Sequence, residues 1–142
     1  MAFRVNGASY PDRLIDDELA NLRVQVRGRL SEEEYAEVEA GLPLLARENV
    51  VARILVEEAA VEADPEVSYQ EVQEEFERML THYGGPASFH ARFNKNEADH
   101  QELREHIEKS LKVAHFLEAA KDVKALKLGL RKKAHVEFGV DE

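Results

Sequence analysis

The chain all but closes on Lys133-Ala134-His135-Val136-Glu137-Phe138, and it opens on a second β-like run around Val5-Asn6-Gly7. Between these two runs lie more than a hundred residues with the apolar periodicity of helices. Val5, Val136 and Phe138 suit a buried sheet better than a solvated tail. We therefore predict that residues 3–6 and 134–138 pair as two strands. The predicted fold class is all-α, a multi-helix bundle with a small two-stranded pairing of the N- and C-terminal segments.

Prolines and capping residues divide the intervening chain into helices. All four prolines lie at the boundaries of periodic segments, where a missing N–H is tolerated. Ser31 with Glu34, and Ser68 with Glu71, have the spacing of a capping box, in which a serine and a glutamate satisfy free amides at a helix start. We therefore expect one helix to begin after each serine. A further helix is predicted between Pro11 and Gly28, and Pro86 is expected to begin a short one.

Apolar spacing within these helices predicts which side chains are buried. Tyr35 and Val38 are expected on the buried side of the second helix, and Tyr69 is expected on the stripe of the helix after Ser68. The run from 42 to 61 has no clean polar face, so it is predicted to be the central element. The longest helix is predicted after Asn96. Its predicted stripe consists of Leu103, Ile107, Leu111, Ala114 and Leu117.

The basic segment from Lys121 to Lys133 leaves two alternatives open. It either continues the long helix or begins a new one after Ala119-Ala120.

Composition limits the classes of function. With 142 residues the chain has the length of one domain, which we place at 1–142. The net charge of −10 disfavours binding to nucleic acid and to anionic membranes. No long apolar run predicts membrane insertion, and no secretion signal is present, so the expected location is cytoplasmic as written. It becomes periplasmic or extracytoplasmic if a signal peptide was removed.

Reactive side chains form no recognisable catalytic pattern. The chain has no cysteine, which excludes disulfides and thiol catalysis. Glu102 and His106 are four residues apart and share a helical face, yet a third and fourth metal ligand are missing. Paired carboxylates are expected on solvated helix faces, and no glycine loop for phosphate is present. We therefore predict no catalytic residue, no metal and no cofactor.

Three motifs in order resemble the chaperone module that flanks the parvulin-type prolyl isomerase domain in SurA-like chaperones. The first is the strand-turn Val5-Asn6-Gly7 before a helix, and the second is Val67-Ser68-Tyr69-Gln70-Glu71-Val72 with Tyr83-Gly84-Gly85 further on. The third is the segment from Leu130 to Phe138, which is similar to the final strand of those proteins. The resemblance spans nearly the whole chain. It implies a domain that binds non-native polypeptide through apolar surface between its helices.

The isomerase domain of that family has no counterpart in this sequence. It is normally inserted after the long helix, but here Leu117-Glu118-Ala119-Ala120 runs directly into Lys121. Even a small catalytic domain needs roughly ninety residues. We therefore expect no isomerase activity. The domain is either naturally absent or was excised near Ala120.

One segment carries the candidate binding residues, and they are apolar or aromatic side chains on either side of Gly84-Gly85. They are Phe76, Met79, Leu80, Tyr83, Phe89 and Phe93. At this spacing such residues are usually core. In the alternative interpretation some of them line an open groove, where methionine and phenylalanine adapt to varied apolar segments. Both interpretations stay open at this point.

The leading hypothesis is chaperone-like binding of non-native or extended polypeptide in an apolar groove, without catalysis. Carboxylates between Glu32 and Asp64 are expected to favour cationic or neutral segments. The alternative is a homodimeric structural or protein-interaction module with no client, which hides the same apolar helices in its own interface.

Overall fold

The computed structural model describes residues 1–93 and 95–140. Within them the elements are, in chain order, β1 (Ala2–Val5), β2 (Ala8–Pro11), α1 (Arg13–Arg27), α2 (Glu32–Glu39), α3 (Leu42–Ala63), α4 (Tyr69–His82), α5 (Pro86–Phe93), a 3₁₀ turn (Glu97–Asp99), α6 (His100–Ala119), α7 (Val123–Lys133) and β3 (Val136–Val140). The predicted fold class is confirmed, since seven helices accompany one small sheet formed by the terminal segments. No helix in this described part of the chain is long and apolar enough to cross a bilayer.

The chain divides into two compact units. Unit 1 comprises Met1–Glu58 and Asp122–Glu142, and unit 2 comprises Ala59–Lys121. The chain leaves unit 1 within α3 and returns to it just before α7. The assignment of 1–142 to a single domain stays a prediction.

The sheet of unit 1 joins the two terminal segments as predicted. Its strand order is β2-β1-β3 and both pairings are antiparallel. The predicted pair consists of β1 (Ala2–Val5) and β3 (Val136–Val140), shifted by one and by two residues from the predicted 3–6 and 134–138. The terminal strands therefore hold the ends of the chain together.

A third strand, β2, was not predicted. Asn6 (φ 51°) and Gly7 (φ 88°) both have positive φ, which is the backbone of a two-residue hairpin turn. Val5 consequently pairs with Ala8 and the strand is continued to Pro11. The Asn-Gly dipeptide is the sequence signal for this hairpin, although we predicted only a turn that leads into a helix.

The core of unit 1 forms between the sheet and α3. Phe3 and Val5 are fully buried and pack with Val50, Val51, Ile54 and Leu55. The Phe3 ring stacks on Tyr10 at 5.6 Å and on Phe138 at 6.1 Å between ring centroids. Phe138 and Gly139 together lie opposite Phe3 alone, and Gly139 takes the positive φ of 69° that this bulge requires. Since Val50 to Leu55 contribute four core side chains, the prediction that α3 is a core helix agrees with its packing.

Helix ends in unit 1 follow their capping residues. Gly28 caps α1, and Ser31 with Glu34 forms the complete capping box predicted for α2. Tyr35 is buried on α2 as expected. Val38 is 41% exposed, so its predicted burial is wrong. A helix of eight residues buries only the side that faces its neighbour, and Val38 lies beside that side.

The segment after α6 begins a new helix. Ala120 has an extended backbone that ends α6, and the Asp122 side chain accepts a hydrogen bond from the amide of Ala125. This cap decides between the two alternatives for the basic segment. The longest helix is α3, with 22 residues, and not α6, with 20. The prediction was wrong because it began the central helix correctly but ended it too early, at 61.

Unit 2 is built on the packing of α4 and α5 against α6. Ser68 caps α4, and Gly84 and Gly85 end its extension with positive φ angles of 88° and 106°. Five side chains form the buried core of this unit: Val72, Phe76, Leu80, Phe89 and Ile107. Ala114 is exposed, although it was predicted on the buried stripe of α6. The predicted polar connection at 94–96 lies partly outside the described residues.

Candidate functional site

The six candidate binding residues lie in unit 2, on α4, α5 and the turn between them. Phe76, Leu80 and Phe89 are buried in the core. Met79 and Tyr83 are half-buried at its edge. Phe93 is 42% exposed. Only Met79, Tyr83 and Phe93 therefore offer surface to a ligand.

An aromatic edge forms where α4 meets α5. The Tyr83 ring lies 5.8 Å from Phe89 and 4.9 Å from Phe93, and Phe89 and Phe93 lie 4.9 Å apart. The Arg92 guanidinium stands over Tyr83 at 5.4 Å and over Phe93 at 5.9 Å. Phe89 forms the buried base of this edge, while Tyr83 and Phe93 form its accessible rim.

A concavity of unit 2 lies away from this edge, between the start of α4 and the first half of α6. It has a volume of about 270 Å³. Its lining consists of Val67, Tyr69, Val72, Gln101, Arg104, Glu105 and Glu108. We call it the α4–α6 cleft.

Tyr69 lines this cleft, and its predicted burial is wrong. It was predicted on the buried stripe of α4, but it is 75% exposed. The α6 residues that line the cleft with it are polar or charged, among them Gln101 and Glu105. Without apolar partners on that side, the ring has nothing to be buried against. In the sequence, the polar and charged residues of α6 between 101 and 108 are the signal that the facing position of α4 is exposed.

The cleft combines an apolar wall with an acidic rim. Val67 and Val72 form the wall, and Val72 is continuous with the core. Glu105 accepts a hydrogen bond from Gln101 at 3.3 Å, and Glu108 pairs with Lys112 at 3.6 Å. Both carboxylates remain on the lining.

Arg104 is the basic residue on this lining, and its guanidinium packs on the core. Its guanidinium carbon lies 4.6 Å from the centre of the Phe76 ring, and its Nε is buried without a hydrogen-bond partner among the described residues. The guanidinium is thus directed to the core aromatic ring. Two carboxylates, Glu105 and Glu108, stand against this one guanidinium on the lining, so the cleft has an excess of one negative charge.

Ionic contacts also join the first turn of α4 to the second half of α6. His115 Nε2 lies 2.6 Å from Glu71 Oε2, and His115 Nδ1 lies 3.5 Å from Glu118 Oε2. The hydrogen bond with Glu71 raises the pKa of His115 above its ordinary value of 6.5. The same hydrogen bond lowers the pKa of Glu71 below 4.5. Each shift favours the charged form of its group, so the two side chains form an ion pair whenever His115 is protonated.

Two further histidines meet between α5 and α6. His90 Nε2 and His100 Nε2 are 2.8 Å apart, so one imidazole donates a hydrogen bond and the other accepts it. The His100 ring also packs edge-on against Phe76, at 5.0 Å. Among residues 1–93 and 95–140, no group of three or more histidine or carboxylate side chains is arranged to hold a metal ion. This pair connects helices within the unit.

Unit 1 carries exposed apolar side chains on three consecutive helices. They are Val24 on α1, Val38 on α2, and Leu44 and Leu45 on α3. A cleft of about 550 Å³ in the same unit is lined mainly by polar residues, among them Arg27, Glu32 and Glu39. Its apolar lining consists of Leu30 and Tyr35.

One protein-family model matches most of the chain. The family model described as "Bacterial trigger factor protein (TF) C-terminus" matches residues 6–118. The match covers well over half of the 142 residues. The chain belongs to the trigger factor C-terminus family. That family is a chaperone module, so the predicted membership of a chaperone module family is confirmed, while the finer SurA-like assignment stays a prediction.

The trigger factor match ends at residue 118, near the end of α6, and does not include α7 and β3. No curated protein and no solved structure matches the chain. The evidence on function therefore consists of the trigger factor family match and the geometry of unit 2.

Proposed function

We propose that this trigger factor family member holds non-native polypeptide segments in the α4–α6 cleft of unit 2, without catalysis. The single observation that carries the proposal is the exposure of Tyr69 beside an apolar wall in a chain of a chaperone module family. An exposed aromatic ring next to the half-buried Val67 and the buried Val72 offers a client side chain apolar contact without unfolding the unit.

The shape of the cleft suits part of an extended chain. A volume of about 270 Å³ is at the lower end for a ligand site, so it accommodates one or two side chains of a client. Weak binding at such a site suits a chaperone, which has to release its clients. The aromatic rim of Tyr83 and Phe93 provides a second apolar contact for clients.

The acidic rim sets the preferred client. Glu105 and Glu108 attract cationic side chains, and a ring such as Tyr69 also attracts cations. Client segments that combine apolar with basic residues are therefore preferred, and acidic segments are repelled. The net charge of −10 acts in the same direction over longer distances.

Absence of catalysis is part of the proposal. The direct connection of α6 to α7 through Ala120 supports it, because it leaves no room for an inserted isomerase domain. The SurA-like pattern of strand, helices and returning strand supports the same kind of client holding. Neither nucleotide nor metal takes part in this mechanism.

The test is suppression of aggregation. Light scattering of an unrelated refolding protein is measured with the wild type, with Tyr69→Ala and with Val61→Ala, a control at an exposed position outside the cleft. We expect the wild type and the control to suppress scattering and Tyr69→Ala to suppress it less. Absence of suppression by excess wild type would reject client holding and favour the homodimer without a client. Equal suppression by all three would move the binding site away from the cleft.

A further inference from the structure

A pair of histidines forms the polar contact between α5 and α6. His90 Nε2 of α5 and His100 Nε2 of α6 lie 2.8 Å apart, and both side chains are half-buried. Among residues 1–93 and 95–140, no ion pair and no other side-chain hydrogen bond connects these two helices. The attachment of α5 to α6 therefore depends on this hydrogen bond and on apolar packing.

The two imidazole rings point at each other along the line that joins their Nε2 atoms. Their centroids are 5.1 Å apart, which is about the Nε2–Nε2 distance of 2.8 Å plus the two ring radii. One Nε2 carries the proton and the other offers its lone pair, as in an N–H···N hydrogen bond. A metal ion bound by both rings would need the two lone pairs to converge on a point beside that line. The geometry is therefore that of a shared proton.

The number of protons on the pair determines whether this hydrogen bond exists. Imidazole side chains change their charge between roughly pH 5 and pH 8. With one added proton, the pair keeps both a donor and a lone pair, and the hydrogen bond becomes charge-assisted. With two added protons, both Nε2 atoms carry hydrogen, so no acceptor is left and two positive charges face each other. Acidification therefore turns an attractive contact into a repulsive one.

On the α4 and α6 side, the pair meets an uncharged ring, a cation and a carboxylate. The Phe76 ring of α4 packs edge-on against His100 at 5.0 Å. Arg104, one helical turn after His100, places its guanidinium carbon 4.6 Å from the centre of the same ring. Asp99, which directly precedes His100, accepts a hydrogen bond from the amide of Asn96 at 2.8 Å. One carboxylate thus balances one guanidinium on this side.

On the α5 side, the charged neighbours are basic. Arg92 lies two positions after His90 on the same helix, and the amide of Lys95 donates to the carbonyl oxygen of His90 at 3.0 Å. With Arg104 and Asp99 included, three cations stand against one carboxylate around the pair in the described chain. This excess of positive charge opposes the second added proton while α5 is bound.

We propose that the histidine pair is an acid-sensitive contact, which releases α5 from α6 when both rings are protonated. Gly84 and Gly85 directly precede α5 with positive φ angles and provide a flexible hinge. Release uncovers Phe89, which is 4% exposed in the bound form, and adds its ring to the accessible Phe93. The release does not depend on the α4–α6 cleft. That the uncovered rings then hold clients rests on the proposed function.

Another histidine contact keeps the rest of unit 2 together in the same pH range. The hydrogen bond with Glu71 raises the pKa of His115, so acidification completes the ion pair between α4 and α6. The lowered pKa of Glu71 preserves its charge down to about pH 4.5. Between neutral pH and pH 5, the contact of α4 with α6 is therefore strengthened while that of α5 with α6 is weakened. Local opening of α5 is expected, and not unfolding of the unit.

The test is hydrogen–deuterium exchange of the full chain, followed by mass spectrometry of its peptides. Protection of residues 86–93 is compared at about pH 7.5 and about pH 5, after correction for the intrinsic exchange rate. The open form binds one proton more than the bound form, and each pH unit shifts such an equilibrium by up to about tenfold. We expect the protection of α5 to fall about fivefold or more, while α4 and α6 keep theirs.

Single variants assign the effect to the pair. His90→Gln and His100→Gln each replace one imidazole by an amide that cannot become cationic, so the fall in α5 protection should disappear. His106→Gln, at an exposed position of α6, is the matched control and should respond to acid as the wild type does. Circular dichroism checks that each variant is folded at both pH values.

Three results would overturn the proposal. They are unchanged protection of α5 in the acidified wild type, an equal fall in His90→Gln and His100→Gln, and an equal loss of protection in α4 and α6. Suppression of client aggregation by the wild type, measured at both pH values, separates this proposal from the proposed function. If α5 opens and suppression does not increase, the acid-sensitive contact is supported and its link to client holding is rejected.

Discussion

The backbone amide of Asn6 donates to the carbonyl oxygen of His135 at 2.7 Å, and the amide of His135 donates back to Oδ1 of Asn6 at 2.9 Å. These two residues are 129 positions apart in the chain. Asn6 also donates through Nδ2 to Glu58 at 3.0 Å. One residue in the hairpin turn thus fixes both the last strand and α3 of unit 1.

Substitution of Asn6 should distinguish its side chain from its backbone. Asn6→Gly keeps the positive φ accessible and removes two hydrogen bonds, so we expect a loss of about 1–2 kcal/mol in the free energy of unfolding. Asn6→Ala removes the same bonds and adds backbone strain, so the loss should be about 1 kcal/mol larger. Urea titration measures both. Equal values for the two variants would mean that the turn does not constrain the backbone.

Removal of the last strand should destabilise unit 1. Truncation after Lys133 deletes Val136 and Phe138 and exposes the fully buried Phe3. Burial of such side chains contributes about 1.5–3 kcal/mol each, so we expect a loss of about 3 kcal/mol or more. A thermal melt checks it, with Glu137→Gln as a control that keeps the strand and changes only an exposed side chain. An unchanged melt of the truncated chain contradicts the prediction.

The two phenylalanines of α5 should differ in their effect. Phe89 is 4% exposed and lies in the core, so Phe89→Ala should cost about 3–5 kcal/mol of stability. Phe93 is 42% exposed, so Phe93→Ala should cost about 1 kcal/mol and should reduce client binding instead. Chemical denaturation and binding of an unfolded client are measured on both variants. Similar stability losses would place Phe93 in the core.

Unit 2 should have a pH-dependent stability that originates in one ion pair. Because the pKa of His115 is raised in the folded state, its contribution is complete below about pH 6.5 and is lost as pH rises through the raised value. Because the pKa of Glu71 is lowered, its contribution is present above about pH 4.5 and is lost on acidification. The ion pair therefore stabilises most between these limits.

The comparison of wild type with His115→Gln isolates this effect. The difference in melting temperature between them should be largest between about pH 5 and pH 6.5 and should shrink toward alkaline pH. His106→Gln, at an exposed position of the same helix, serves as the control and should show no such maximum. If the difference in melting temperature between wild type and His115→Gln does not change with pH, the ion pair is not the cause of the pH dependence.

The acidic rim should select among clients. Replacement of Glu105 and Glu108 by glutamine should weaken binding of a lysine-rich unfolded peptide about two- to thirtyfold, because exposed charges contribute about 0.2–1 kcal/mol each. Binding of a neutral peptide of equal hydrophobicity should change little. Fluorescence anisotropy measures both peptides. The control replaces Glu74 and Glu77, on the exposed side of α4, and an equal loss there assigns the effect to net charge.

Local signals allowed most of the fold to be predicted. Ser31 and Glu34 specify the start of α2 by their own hydrogen bonds. Val136 and Phe138 are apolar, so their burial could be predicted without knowing their partners, and both pack against the core of unit 1. The hairpin at Asn6-Gly7 was also encoded locally, but an exposed strand such as β2 has little apolar alternation to reveal it.

The binding surface was harder to predict than the fold. Helical spacing places Tyr69 with Val72 and Phe76, and it does not say what the opposing helix offers. Because charged residues of α6 face Tyr69, the ring is exposed while Phe76 is buried. The exposure of a side chain depends on the residues of the helix that packs against it. A single sequence does not tell which helix that is.

The division into a continuous and a discontinuous unit has a consequence for biogenesis. Residues 59–121 form one uninterrupted stretch, so unit 2 can fold while translation is still under way. β1 is made before unit 2, yet its neighbour β3 is made more than a hundred residues after β1. During that interval Phe3 and Val5 lack one of the two strands that flank or extend their sheet, and the nascent segment around β1 itself resembles the clients that this protein is proposed to hold.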